Sequence, residues 1–178
     1  MRKPKGVIAA LWEEVNPEEI PVDVVFILKS DLQHLRRQLN AYQRAGKTVY
    51  VDMDFVDGLS DGEAAVAFLK GLGVDGLISV KIKNFHACRR LGLPFVLRVF
   101  ALDSRAVEKA FEQVISNDVD MVEILPGCAA LKIGSRFKSA GIRVVAAGLV
   151  SSQDELRELL SVVDGVSTSS RELWRVKL

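Results

Sequence analysis

The sequence predicts an α/β chain that closes into a compact (β/α)8 TIM-like barrel with a shortened first helix. Two observations predict it. Short apolar runs alternate with helix-period stretches from end to end, which argues for a parallel sheet. The alternation repeats eight times, the number that closes such a barrel. The 178 residues suit one core, so residues 1–178 read as a single domain. Barrels of this kind typically run to about 250 residues. The repeats here must therefore be short and the loops minimal, and a doubly wound open sheet stands as the alternative.

The first strand is 7–11. Asn16, Pro17 and Glu19 follow as an N-cap, an N1 proline and an N3 acid, and Pro21 leaves room for only one helical turn. The second strand is 24–28, after which Ser30 and Gln33 open a helix with Leu32, Leu35, Leu39 and Tyr42 on one face. The third strand carries Val49, Tyr50 and Val51 and ends in Asp52 and Asp54. Their spacing of two places both carboxylates on one face of the sheet. Gly58 turns the chain, and Ser60 with Glu63 predicts a capping box for the next helix.

The fourth strand is 76–80, with a short helix over 84–90 ending at Gly92. The fifth is 94–101, and Asp103 N-caps a helix bearing Val107, Ala110, Phe111, Val114 and Ile115. The sixth, 121–125, leads through Pro126 and Gly127 to a helix over 129–139. The seventh is 143–150, followed by a second capping box at Ser152 and Glu155. The eighth is 165–169, where Ser169 and Glu172 predict the cap of a last short helix through Trp174.

Composition narrows the function. The chain is 49% hydrophobic and 26% charged, as a folded globular protein is. A net charge of +1 supplies no global field towards nucleic acid or membrane, so such a partner needs a local patch. No apolar run approaches the ~18 residues that span a bilayer. The early run over 6–12 is too short for a signal-peptide core. With two cysteines, Cys88 and Cys128, the expectation is a cytoplasmic protein with reduced thiols and no membrane partner. No dinucleotide fingerprint, P-loop or catalytic triad occurs, so neither a cofactor nor a metal is expected. The oligomeric state stays open, with a homo-oligomer among the choices.

Ligands bind at the C-terminal ends of the strands in either fold. Lys29, Asp52, Asp54, Lys81, Arg98 and Glu123 fall there, on or just past apolar strands. A charge in such a place is costly unless paired or liganded. One reading is a structural ion-pair network, and the other is a polar ligand site. Ala147, Gly148, Thr168 and Ser169 end the last two strands with small or hydroxyl-bearing residues. Those suit a phosphate, which barrels often bind at this position. Arg36 and Arg37, and Lys132 and Arg136, lie in two stretches free of acids. They read as solvated helix faces or as an RNA-facing patch.

Five stretches occur in an order that is specific as a set. They are Asp52-Met-Asp54-Phe-Val-Asp57-Gly58-Leu59-Ser60, Arg98-Val-Phe100-Ala-Leu-Asp103-Ser104, Glu123-Ile-Leu-Pro126-Gly127, Ala147-Gly148-Leu149 and Ser167-Thr168-Ser169 with Leu173-Trp174. The set resembles the glycerol uptake operon antiterminator regulatory family. The resemblance implies a small barrel that senses glycerol 3-phosphate and binds the leader of a messenger RNA, letting transcription pass a terminator. Many members carry histidine at position 52, where this chain has Asp52. The alternative function is a small phosphosugar isomerase or aldolase, with Lys81 or Glu123 doing Schiff-base or proton chemistry.

Overall fold

The computed structural model describes residues 4–177. Eight parallel strands close a barrel in the order β1-β10-β9-β8-β7-β6-β4-β2. They are β1 (Gly6–Leu11), β2 (Val24–Ile27), β4 (Thr48–Asp52), β6 (Gly76–Ser79), β7 (Phe95–Phe100), β8 (Met121–Leu125), β9 (Arg143–Ala147) and β10 (Gly165–Thr168). A separate two-residue ladder pairs β3 (Ser30–Asp31) with β5 (Val56–Asp57). The helices are α1 (Leu35–Arg44), α2 (Glu63–Gly71), α3 (Ile82–Leu91), α4 (Ser104–Ser116), α5 (Gly127–Ser139) and α6 (Gln153–Val162). The open-sheet alternative is thereby excluded.

Where the first helix of the barrel belongs, the chain makes a 3-10 turn over Pro17–Glu19. The Asn16 side chain accepts the Glu18 N–H at 3.2 Å. The predicted caps at Asp103 and at Ser152–Glu155 both form.

Three predicted helix starts are corrected. α1 begins at Leu35, because Ser30 and Asp31 are taken up by the ladder to Val56 and Asp57. The Asp31 carboxylate then receives the N–H groups of Gln33 and His34, each at 2.9 Å, and turns the chain into the helix. Leu32 stays outside the helix and is exposed. α2 is entered through Gly62, at φ 91°, and not through Ser60. That backbone favours glycine, and the Gly62 N–H is accepted by Asn84 Oδ1 at 2.9 Å. Glu63 pairs with Arg90 instead of closing a capping box. After β10 there is only a 3-10 turn, Leu173–Arg175, without a side-chain cap. It is held by the Trp174 indole N–H, which donates to the Thr168 carbonyl at 2.7 Å.

Alternate strand residues pack into two shells. Ile8, Phe26, Tyr50, Ile78, Val96, Met121 and Val145 fill the barrel interior. Their sequence neighbours join the larger layer beneath the helices. Tyr50 lies in register with Gly76, where any Cβ would stand 2.2 Å from the Tyr50 ring. Aromatic bulk at the lower end of the barrel thus depends on a missing side chain opposite.

Candidate functional site

The upper interior of the barrel is polar. Arg98 and Glu123 are register partners on β7 and β8. The Arg98 Nε donates to Glu123 Oε2 at 2.7 Å, and its Nη1 reaches past β6 to donate to Asp52 Oδ2. All three are buried, with Asp52 fully so. Two carboxylates share one guanidinium, so the ionised cluster carries a net negative charge. Burial pushes Asp52 up to about 6 against the pull of Arg98. Burial also works against the charge of Arg98, but Glu123 and Asp52 together outweigh it and raise its pKa. A buried pair of this kind is weak evidence of stability, and a destabilised charge at the ligand end of a barrel is a mark of function.

The remaining sequence candidates take different places. β4 ends at Asp52, so Asp54 falls in the 3-10 turn Met53–Phe55 and does not share a sheet face with Asp52. Its carboxylate receives the Ser79 hydroxyl and the Val80 N–H, both at 2.8 Å, and ties the end of β4 to the end of β6. Lys81 turns outward to Asp61, at 2.9 Å, and stands 3.8 Å from Asp54. The Asp61 hydrogen bond raises its pKa. A Schiff-base lysine needs the opposite shift, towards a free amine. Lys29 is exposed just past β2.

Ala147 closes β9, and the chain leaves it through Gly148 at φ 77° and Leu149 at φ 59°. A Cβ at Gly148 would make ordinary contact with Leu125 at 3.6 Å, so the positive φ and not crowding is what favours glycine there. Thr168 is in register with Ala9, a residue of the outer layer. Its hydroxyl already accepts the Ser170 N–H at 3.1 Å. Ser169 is exposed beside it.

Arg171, which the sequence did not single out, joins Ser169 at the rim. A cavity of about 200 Å³ is lined by Ala10, Trp12, Glu13, Ser169, Arg171 and Trp174, among others. Arg171 follows Ser169 by two positions, which was a legible signal. The expectation of a helix cap over 169–172 obscured it.

The basic candidates do not form one surface. α1 packs against β4, whereas α5 packs against β8 and β9 across the barrel. Arg36, Arg37 and Arg44 line one shallow cleft on α1, and Arg37 pairs with Glu14 at 2.7 Å. On α5, Arg136 is bound to Glu108 and lies 4.0 Å over the Phe111 ring. Lys132 is exposed nearby.

The family described as glycerol-3-phosphate responsive antiterminator matches residues 7–174. The chain belongs to that family. A glycerol uptake operon antiterminator-related protein from Thermotoga maritima MSB8 is 50% identical, with a TM-score of 0.93, over 98% of this chain and 100% of that one. A glycerol uptake operon antiterminator regulatory protein from Listeria monocytogenes shares the fold at 23% identity, with a TM-score of 0.86, over 97% of this chain and 96% of that one. The uncharacterised protein YgcP of Escherichia coli K12 is 28% identical over 94% of this chain and 91% of its own. Aldolase barrels also superpose, for example one at 13% identity, a TM-score of 0.68 and coverage of 95% of this chain and 88% of that one; they share the fold alone. Antiterminator proteins of this family are regulators, and membership places the chain among them. Among the described residues, no helix is long and apolar enough to cross a membrane.

Proposed function

We propose that the barrel mouth binds a small phosphate monoester bearing hydroxyl groups, glycerol 3-phosphate first among them, and that binding alters affinity for a leader RNA. The observation that carries this reading is the buried Asp52–Arg98–Glu123 cluster at the floor of the mouth. A surplus carboxylate there suits the hydroxyls of a polyol, to which it offers acceptors. Arg98 is buried and already paired with two carboxylates, so the phosphate belongs at the rim, near Gly148 and beside Ser169. Lys29 stands at the rim among the groups open to an anion. Asp54, Lys81 and Thr168 position the loops around it.

RNA would meet the α1 face, where Arg36, Arg37 and Arg44 are grouped. An effector shifts such an equilibrium only by binding the RNA-competent state more tightly. The second reading, an aldolase-like enzyme, needs Lys81 as a Schiff-base amine or Glu123 as a proton carrier; Lys81 is instead paired with Asp61, and Glu123 is engaged by Arg98.

Isothermal titration tests the reading with glycerol 3-phosphate and glycerol side by side. The ester is expected to bind, and glycerol to bind far more weakly. At a hundred times its Kd the ester should stabilise the fold by about 2.7 kcal/mol. Equal affinities for the two compounds would refute a phosphate site.

A further inference from the structure

The proposed phosphate needs a cation in the cavity that holds Ser169, and Arg171 lines that cavity. We infer that Arg171 is the residue that binds the phosphate, exchanging two exposed carboxylates for it in the cavity beside Ser169. This rests on the reading of the mouth as a phosphate-ester site and adds the group that confers selectivity for the ester.

Four arginine and lysine residues at the mouth compete for the role, and position and exposure decide among them; Lys29, exposed past β2, does not line the cavity that holds Ser169. The Arg98 side chain is 6% exposed and bound to two buried carboxylates, so releasing it would leave charges uncompensated in the interior. Lys81 is drawn outward to Asp61, which also holds Lys83. Arg171 is 51% exposed and lines the same cavity as Ser169.

The partners of Arg171 are cheap to lose. Its Nη2 lies 3.5 Å from Glu13 and its Nη1 3.3 Å from Glu19. Both acids are themselves exposed, at 81% and 53%, and long exposed pairs contribute little. A phosphate offers the same guanidinium a short bidentate contact with more charge. Trp12 lines the same cavity, and its ring meets Phe55 edge-on at 6.0 Å between centroids.

Four proteins test the inference by titration with glycerol 3-phosphate, inorganic phosphate and glycerol: wild type, Arg171→Ala, Arg171→Lys and the double variant Glu13→Gln/Glu19→Gln. Arg171→Ala should weaken ester binding at least about tenfold, the loss of one charge-assisted contact, and leave the weak glycerol signal unchanged. Arg171→Lys should recover part of the loss. Removing the two competing acids should tighten both ester and inorganic phosphate severalfold. If Arg171 served only to tie down the loop carrying Glu13 and Glu19, the double variant would weaken binding as Arg171→Ala does. That result overturns the inference, as does wild-type ester affinity in Arg171→Ala. Should wild type itself fail to prefer the ester over glycerol, the phosphate site falls and the role of Arg171 with it. Should wild type prefer it and Arg171→Ala bind equally well, only the assignment of Arg171 fails.

Discussion

Asp52→Asn should stabilise the folded protein at pH 8 and impair its ligand site. The magnitude follows from the cluster. Asp52 is fully buried, and its pKa stands at about 6 against an ordinary 3.8. That difference corresponds to roughly 3 kcal/mol in favour of the neutral carboxyl on folding. Because the folded pKa is raised, Asp52 binds its proton more tightly when folded. Its contribution is most favourable below about pH 4 and declines as pH rises through about 6.

An asparagine keeps the neutral form at every pH. It retains one oxygen where the carboxylate uses two, for Arg98 and for the Asp54 N–H at 3.1 Å. The lost hydrogen bond costs about 1 kcal/mol. The net expectation at pH 8 is a gain of about 2 kcal/mol, or a rise in Tm of about 4–8 °C for a chain of this length. Urea unfolding of both proteins between pH 8 and pH 4 measures it. The advantage of the variant should shrink by about 2.5 kcal/mol across that range. Parallel pH profiles, or a variant less stable at pH 8, would refute the argument. A charge retained against stability is a common signature of a working site. The same variant should therefore lose affinity for a hydroxyl-bearing ester.

Further outcomes follow from other parts of the molecule. Charge reversal at Arg36, Arg37 and Arg44 together should reduce leader-RNA affinity and lower the salt slope of binding by about 2, the share of three phosphate contacts on a single strand. Filter binding at several salt concentrations measures this, with Lys132→Glu as the control on the far side of the barrel. Equal losses from both variants would mean that no particular face is involved. Gly76→Ala should destabilise the fold by about 3 kcal/mol, since the new Cβ would stand 2.2 Å from the Tyr50 ring in a filled interior. Denaturant titration checks it, and a loss under 1 kcal/mol would show that the ring can move aside.

The barrel is legible in the order of the residues. Eight apolar runs with helix-period stretches between them leave few ways to bury a parallel sheet. Asn16-Pro17 and Pro21 alone allowed one turn where a helix would otherwise stand. Local caps were legible where a side chain needed only its own neighbours, as at Asp103 and Ser152–Glu155. They were misread where a distant partner intervened. Ser30 is claimed by a ladder to Val56, 26 residues away, and the helix expected from Ser60 is entered instead at Gly62, held by Asn84, 22 residues on.

The site divides in the same manner. That Asp52, Arg98 and Glu123 lie at strand ends follows from the pattern of the chain. That Arg98 reaches both carboxylates depends on barrel closure and on a register that sets it beside Glu123. Only the tertiary structure separated Arg36 and Arg37 from Lys132 and Arg136, because α1 and α5 lie across the barrel from each other. It alone brought Arg171 beside Trp12 from the other end of the chain, through the parallel pairing of β1 with β10. Periodicity records which face of an element is buried, whereas contacts between distant elements arise only when the sheet closes.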